Sequence, residues 1–544
     1  MTARLDDAAS AYACPLLIKQ LWHAPLRFAA RQEIVYGGRR TCFAELHHRV
    51  GRLASALAGL GVRFGDTVAV MDWDSDRYLE CYYAVPMMGA VLMTANVRLA
   101  PEQILYTLNH SGASVLLVHE DFLPLLEEIR ARLQGVRQVV LMSGGRERVA
   151  GVTGFAGEYE ALLGASSAEF PYPEFDERTR ATTFYTTGTT GDPKGVYFSH
   201  RQLVLHTLAG MAALASPASA QRFHRGDVYM PLTPMFHVHA WGMPYIALQL
   251  GVKQVYPGRY EPRRILELIE SEGVTFSHCV PTVLQMVLSA PGSERVDLSR
   301  WKVVIGGSAL TAGLARAAHA RGIDIFAGYG MSETCPILTL AQLHSHLGEL
   351  DDEQALTWRC RAGVPVPLVE LRTVDGALRD LPDGDPTGGE IVARAPWLTQ
   401  GYVGRPEASE ELWRSGYLHT QDVGSFERGY LRISDRIKDV IKTGGEWVSS
   451  VAIEDVISRH PSVAECAVIG VQDATWGERP LALVVARPGE SVDESEIKHL
   501  VGGYVERGLL PSYSVPNRVL AVEALVRTSV GKYDKRALRQ RYAG

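Results

Sequence analysis

The sequence predicts an α/β protein, a large domain of mostly parallel, helix-covered sheets followed by a smaller domain, and three observations carry that prediction. At 544 residues the chain exceeds what one hydrophobic core ordinarily holds, so a large domain with at least one smaller one is expected. Short apolar runs alternate with longer segments of helical periodicity, the pattern of parallel strands joined by helical crossovers. After Glu370 the composition shifts, and a turn-rich segment separates two strand-like runs.

From Phe43 the apolar positions Leu46, Val50, Leu53, Leu57 and Leu60 advance by three and four, the spacing of an amphipathic helix. Gly61 and Gly65 close it, and Val68 to Met71 reads as a buried strand. Cys81 to Val97 is uncharged but contains Pro86, Thr94 and Asn96, falls short of a membrane span, and reads as a buried helix and turn. Further strands are expected at Val115 to Val118, Val139 to Met142, Val303 to Ile305 and Asp324 to Phe326. The segment from Asp380 to Gly389 reads as the turn of an antiparallel hairpin. A smaller unit begins near Asp435. Within it Asp493 and Glu496 form a helix start, with Ile497, Leu500, Val501, Tyr504 and Val505 as its apolar face. No internal repeat or low-complexity tract is visible.

With 46% hydrophobic and 21% charged residues the composition is that of a soluble globular protein. A net charge of -6 gives no electrostatic footprint for nucleic acid or an anionic membrane, so a polyanionic ligand must be met by locally placed cations and a metal. The seven cysteines (Cys14, Cys42, Cys81, Cys279, Cys335, Cys360 and Cys466) show no close pairing, and reduced thiols in a cytoplasmic protein are the simplest account. Met1 to Ser10 has no apolar signal core.

The most informative stretch is Tyr185-Thr186-Thr187-Gly188-Thr189-Thr190-Gly191-Asp192-Pro193-Lys194-Gly195. Five hydroxyls, three glycines and a lysine within eleven residues suit a loop that holds phosphate oxygens. The Walker pattern is absent, because Lys194 follows Pro193 and precedes Gly195. A lone Gly-rich string is ordinarily a surface turn. This longer one resembles the phosphate-binding signature of AMP-forming acyl-CoA synthetases and adenylation enzymes.

Three later strings agree with that family in order. In Gly328-Tyr329-Gly330-Met331-Ser332-Glu333-Thr334 the aromatic ring can stack on a purine and the carboxylate offers a hard oxygen suited to Mg²⁺. The resemblance assigns Tyr329 to adenine, and Glu333 with Thr186 to the metal. It also places Gly307-Ser308-Ala309 beside the adenine and the acyl group. Tyr417 to Gly424 is followed by Asp435-Arg436-Ile437-Lys438-Asp439, and here the resemblance gives Asp422 to the ribose hydroxyls with Arg436 beside it. Read alone, Asp422 is a turn or helix cap. Arg527-Thr528-Ser529-Val530-Gly531-Lys532 resembles the catalytic lysine loop, with Val526 where the family usually has proline. The nucleotide set so implied extends to Lys438 and Lys442.

The resemblance covers roughly residues 40 to 540. It implies two helix-covered, mostly parallel sheets and a small antiparallel β-barrel-like part in residues 1–435. A hinge at 436–439 and a small, mobile α+β domain in 440–544 follow. The implied reaction joins a carboxylate to the α-phosphorus of ATP, releasing pyrophosphate, after which the thiol of CoA displaces AMP. The small domain would swing between the steps, withdrawing Lys532 and bringing Lys442-Thr443-Gly444-Gly445-Glu446-Trp447 to the site. In Met235-Phe236-His237-Val238-His239-Ala240-Trp241, two histidines two apart would share a strand face and suggest a metal, but no third ligand is evident and a structural histidine is the simpler reading. In the family His237 sits beside the acyl group. Trp241, together with Lys442 to Ser450, resembles the medium- and long-chain fatty acyl-CoA synthetase branch, where an indole gates the acyl tunnel; Val238, Gly307, Gly444, Gly445 and Trp447 complete the implied acyl and CoA path.

Alternatives differ in acid or acceptor. A short, branched, sulfur-containing or aromatic acid shares much of the Trp241 stretch, and an enzyme loading a carrier protein shares every motif, although no carrier segment is visible after Lys532. A luciferase-like oxygenase would share the fold and the adenylation step. A non-enzymatic nucleotide-binding module would have no use for Lys532. Self-association as a homodimer is compatible with the sequence, and no nucleic-acid or integral-membrane partner is expected.

Overall fold

The computed structural model describes residues 8–144, 154–186, 192–217, 221–385, 388–443 and 446–543, the side chains of Glu446 and Trp447 excepted. Among these the strands form four sheets. Seven strands make the first, in the order Gly157–Glu158, Gln138–Met142, Ala113–His119, Thr67–Met71, Val91–Thr94, Arg180–Thr186, Lys194–Ser199. All its pairings are parallel except the last, which is the antiparallel pair carrying the phosphate-loop motif.

A nine-stranded sheet lies beside it, and its central strands Val228–Leu232, Phe276–Cys279, Lys302–Ile305 and Asp324–Gly330 run parallel. The helix Asp76–Met87 touches strands of both sheets and all of its residues are buried. A helix covered on every side is apolar or internally paired. Here the buried charges find partners, Glu80 with Arg49 at 2.6 Å and Asp76 with Arg39 at 2.6 Å.

The helix expected from Phe43 spans Phe43–Gly59, with Leu46, Val50, Leu53 and Leu57 facing the core. Cys81 to Val97 departs from expectation: the helix ends at Met87 and Val91–Thr94 is a fully buried parallel strand. A continuous apolar run does not separate a buried helix from a buried strand, and Gly89, at φ +81°, makes the turn between them.

Glu370–Val374 and Gly389–Arg394 pair antiparallel, the hairpin expected around Asp380. They join Tyr417–Glu427, Trp413–Arg414 and Tyr430–Arg436 in a small antiparallel sheet. A separate core then starts at Ile441, built on the fourth sheet. Its strands Val463–Asp473 and Gly477–Ala486 present Val468, Ala482 and Val484 to one face, and Ala467, Ile469, Leu481 and Leu483 to the other. The helix Glu494–Glu506 packs on the first face. Asp493 caps it, accepting hydrogen bonds from the backbone N–H groups of Ser495 and Glu496. The smaller unit rests on the larger: the Ala312 backbone N–H donates to Asp455 Oδ1 at 2.8 Å.

Candidate active site

Thr186 and Lys194 face each other across the strand pair Arg180–Thr186 and Lys194–Ser199. Thr187, Gly188, Thr189, Thr190 and Gly191, which join the two strands, lie outside the described residues. The ammonium of Lys194 sits 4.8 Å over the ring of Tyr402, within cation–π range. The Tyr402 hydroxyl donates to Glu333 Oε1 at 2.7 Å. The segment 399–403 thus sews the first motif to the second. The Thr399 N–H donates to the Glu333 carbonyl at 2.9 Å, the Thr399 hydroxyl to the Tyr197 carbonyl at 2.9 Å, and the Val403 N–H to the Gly195 carbonyl at 2.9 Å.

The strand Asp324–Gly330 delivers the second motif. Gly330 is confined by packing, since a Cβ there would lie 1.6 Å from the Pro336 carbonyl oxygen. Tyr329 donates its hydroxyl to Asp422 Oδ2 at 2.8 Å. Arg436 stands opposite Asp422 in the antiparallel register and pairs with Oδ1 at 3.2 Å. Burial raises the Asp422 pKa above the ordinary carboxylate value, and the Arg436 charge is the largest opposing influence. The proposed adenine and ribose residues therefore adjoin.

Lys532 reaches the same place from the small domain. It lines a cavity with His237, Trp241, Gly307, Gly328, Tyr329, Gly330, Met331 and Ser332. Gly307 has φ +77°, and a Cβ on it would come within 3.0 Å of Lys532 Cε, so the lysine stem lies against bare backbone. Burial is the main cause lowering the Lys532 ammonium pKa to about 8; Arg436 adds to this, while Asp422 and Glu333 oppose it. Burial, reinforced by Lys532, likewise takes His237 down to about 3, so its imidazole is neutral at physiological pH.

His237 precedes a left-handed turn. Val238, His239, Ala240 and Trp241 have φ of +48°, +54°, +47° and +58°, followed by Gly242 at +71°. Left-handed backbone costs L-residues roughly 1–2 kcal/mol each, so the surroundings must hold it. Asp74 Oδ1 accepts the Met235 N–H at 2.8 Å, and the Thr94 hydroxyl donates to the Phe236 carbonyl at 2.9 Å. The strand geometry that would set His237 and His239 on one face is thus absent. His239 is packed among the rings of Phe184, Phe198 and Tyr82, and the described residues contain no cluster of three or more His, Cys, Asp or Glu fit to bind a metal.

Trp241 lies over Gly306, where a Cβ would meet the indole at 2.8 Å, and 4.9 Å from the His278 ring. The same cavity is lined by Leu214, Val238, Met243, Ile337 and Leu340. Ser308 and Ala309 follow Gly307 outside this lining. Lys442 sits on the short strand Ile441–Thr443, where its N–H donates to Glu478 Oε2 at 3.0 Å, and burial lowers the Lys438 pKa beside Arg436. Gly444, Gly445 and the Trp447 side chain lie outside the described residues. Tyr402 and Thr399 were not singled out in the sequence. They occupy irregular chain far from both motifs, and only the run Trp397 to Tyr402 before Pro406 hints at a structured loop.

Residues 21–403 match the family model "AMP-binding enzyme" and residues 452–532 match "AMP-binding enzyme C-terminal domain". The chain is 42% identical over 510 residues to the long-chain-fatty-acid–CoA ligase of Thermus thermophilus, covering 92% of this chain and 90% of that one. It is 37% identical over 539 residues to the 3-methylmercaptopropionyl-CoA ligase of Ruegeria pomeroyi, covering 97% of each. The structure of ATP-bound MatB from Rhodopseudomonas palustris superposes with a TM-score of 0.82 at 26% identity, over 97% of this chain and 99% of that one. The chain therefore belongs to the AMP-binding enzyme family, as an AMP-forming acyl-CoA synthetase. Its reaction is that of an acid–thiol ligase: ATP activates a carboxylic acid to the acyl-adenylate, and CoA takes the acyl group.

Proposed function

We propose that the acid is a medium- or long-chain fatty acid and that Lys532 drives its adenylation. One observation supports this reading: Lys532, His237 and Gly307 share a cavity with Tyr329 and Trp241, and the same cavity is lined by the apolar side chains of Leu214, Val238, Met243, Ile337 and Leu340. Aliphatic lining suits an aliphatic tail, which gains roughly 0.8 kcal/mol per buried methylene. The names of the Thermus and Ruegeria relatives point to acids with chains of different length and chemistry, and the Trp241 gate is the element expected to choose between them.

The carboxylate must approach a polyanion, and positioned cations are the largest catalytic asset for such a step. Lys532 provides one beside Gly307, with Lys194 provides another at the phosphate-loop strands, and Arg436 neutralises Asp422 so that it can accept the ribose hydroxyls. Thr186 and Glu333 supply the hard oxygens that Mg²⁺ prefers, and the Lys194–Tyr402–Glu333 contacts tie both to the same loop. Bound there, Mg²⁺ would neutralise phosphate charge. His237, neutral, borders the acyl carbonyl without repelling Lys532.

For thioester formation, residues 436–439 act as a hinge between residues 1–435 and 440–544, and the segment from Lys442 to Trp447 replaces Lys532. The separate core that starts at Ile441 supports this division. Free cysteines at all seven positions fit a cytoplasmic setting.

The test is AMP release from ATP with acids from acetate to palmitate plus aryl acids, each with and without CoA. The fatty-acid reading expects AMP only with acid and CoA together and a maximum between octanoate and palmitate. A maximum at acetate, at 3-methylthiopropionate or at an aryl acid contradicts it. Acid-dependent pyrophosphate release that CoA never accelerates would move the acceptor to a carrier protein.

A further inference from the structure

Lys532 is placed by a hairpin whose three preceding residues are gripped by the large domain. The hairpin closes on itself through the bridge between Arg527 and Tyr533, with the Thr528 N–H donating to the Lys532 carbonyl at 2.7 Å and the Gly531 N–H to the Thr528 carbonyl at 2.9 Å. Arg527 fastens it to its own domain, with Nη2 at 2.7 Å from both carboxylate oxygens of Glu465. These contacts shape the hairpin but do not aim it at the cavity.

Aiming requires contacts across the domain boundary, and the residues before Lys532 make them. The side-chain amide of Asn96 donates to Ser529 Oγ at 3.0 Å. Thr282, in the first turn of the helix Pro281–Leu288, donates its hydroxyl to the Gly531 carbonyl at 3.0 Å. Val530 packs its side chain against the large-domain core. Asn96 is itself buried, and its Oδ1 accepts the Arg98 N–H at 3.1 Å, which leaves the NH₂ group to face Ser529. Gly531 has φ +85°, and a Cβ there would press to 3.0 Å against Thr282 Oγ1. Neither Asn96 nor Thr282 lines the cavity that Lys532 enters.

We infer that Asn96 and Thr282 form a socket for the lysine hairpin, and that both are positioning residues for adenylation with no part in thioester formation. The inference rests on the reading of Lys532 given above. In this orientation the socket fixes Ser529, Val530 and Gly531, and so fixes the start of the lysine stem. A small displacement of a catalytic group costs rate steeply, so two hydrogen bonds to its backbone and neighbour carry weight in the first step alone.

The two half-reactions of the full-length enzyme separate the possibilities. Pyrophosphate release from ATP with octanoate reads adenylation; acyl-CoA formation from preformed octanoyl-AMP reads the second step. Asn96→Ala, Ser529→Ala and Thr282→Val should each slow adenylation about tenfold, the loss of one hydrogen bond. Octanoyl-AMP consumption should stay within about twofold of wild type. Asn96→Ala with Ser529→Ala should be no worse than either alone, and Thr282→Ser should recover most of the rate that Thr282→Val loses. Ser529→Ala, on the hairpin itself, keeps the test open if the buried Asn96 variant folds poorly. Equal slowing of both half-reactions, or additive losses in the double variant, overturns the socket. Lys532→Ala run alongside tells the two readings apart. If it abolishes adenylation while the socket variants do nothing, only the socket fails; if it leaves adenylation intact, the reading of Lys532 fails as well.

Discussion

Asp422 accepts from Tyr329 on one oxygen and faces Arg436 with the other, an arrangement that neutralises its charge while leaving acceptor capacity for a diol. Replacing it with Ala removes a hydrogen-bonding anion, which is worth roughly 1.5–3 kcal/mol, so the Michaelis constant for ATP should rise about tenfold or more. An unchanged constant would make Asp422 only a brace for Tyr329. On the proposed role of Lys532, that lysine sets the pH dependence of adenylation. Its pKa is lowered to about 8 from the ordinary 10.5, so the ammonium is fully present well below pH 8 and is lost as the pH rises through it. The kcat/KM of adenylation, which reports the free enzyme, should therefore fall above about pH 8. A plateau persisting to pH 10 would show that the lysine is exposed before substrate binds. At this scale the motifs were legible as local strings, and the structure brings Tyr329, Asp422, Arg436 and Lys532 together, but the ligands assigned to Asp422 and Lys532 came from the family resemblance and not from the side chains read alone. Tyr402 escaped, since its importance comes from Lys194 and Glu333, both remote in sequence.

The elements that aim these residues obey tighter steric limits than their sequences announce. Gly330 ends its strand against the Pro336 carbonyl, with no room for a Cβ. Gly330→Ala must therefore shift backbone, at a cost typical of overpacking, and should lower the melting midpoint by a few degrees along with adenylation. Unaltered melting and activity would mean that this strand end relaxes freely. The left-handed turn from Val238 to Trp241 could not be foreseen, because only His239 among its four residues is of a type enriched at positive φ. The chain leading into it is fixed at Met235 and Phe236 by Asp74 and Thr94, residues more than 140 positions away. The strand Val91–Thr94 was hidden for a different reason: burial on both faces erases the alternation by which strands are recognised.

At the scale of the whole molecule, helical periodicity and short apolar runs were enough to give the parallel sheets, and the turn-rich stretch after Glu370 gave the antiparallel hairpin. Which strands neighbour which was beyond reach, because sheet order depends on crossovers between distant segments. The lysine hairpin enters the large domain at the junction of the two domains, and we propose that the reaction divides along it, with Lys532 acting in the first step only. The direct measurement is a single-turnover comparison of both half-reactions in Lys532→Ala. The account predicts that acyl-adenylate formation falls by roughly 10²–10³, the loss typical of removing one charge-stabilising group, while acyl transfer from preformed acyl-AMP to CoA is retained. Equal loss in both steps, or retained adenylation, would contradict it.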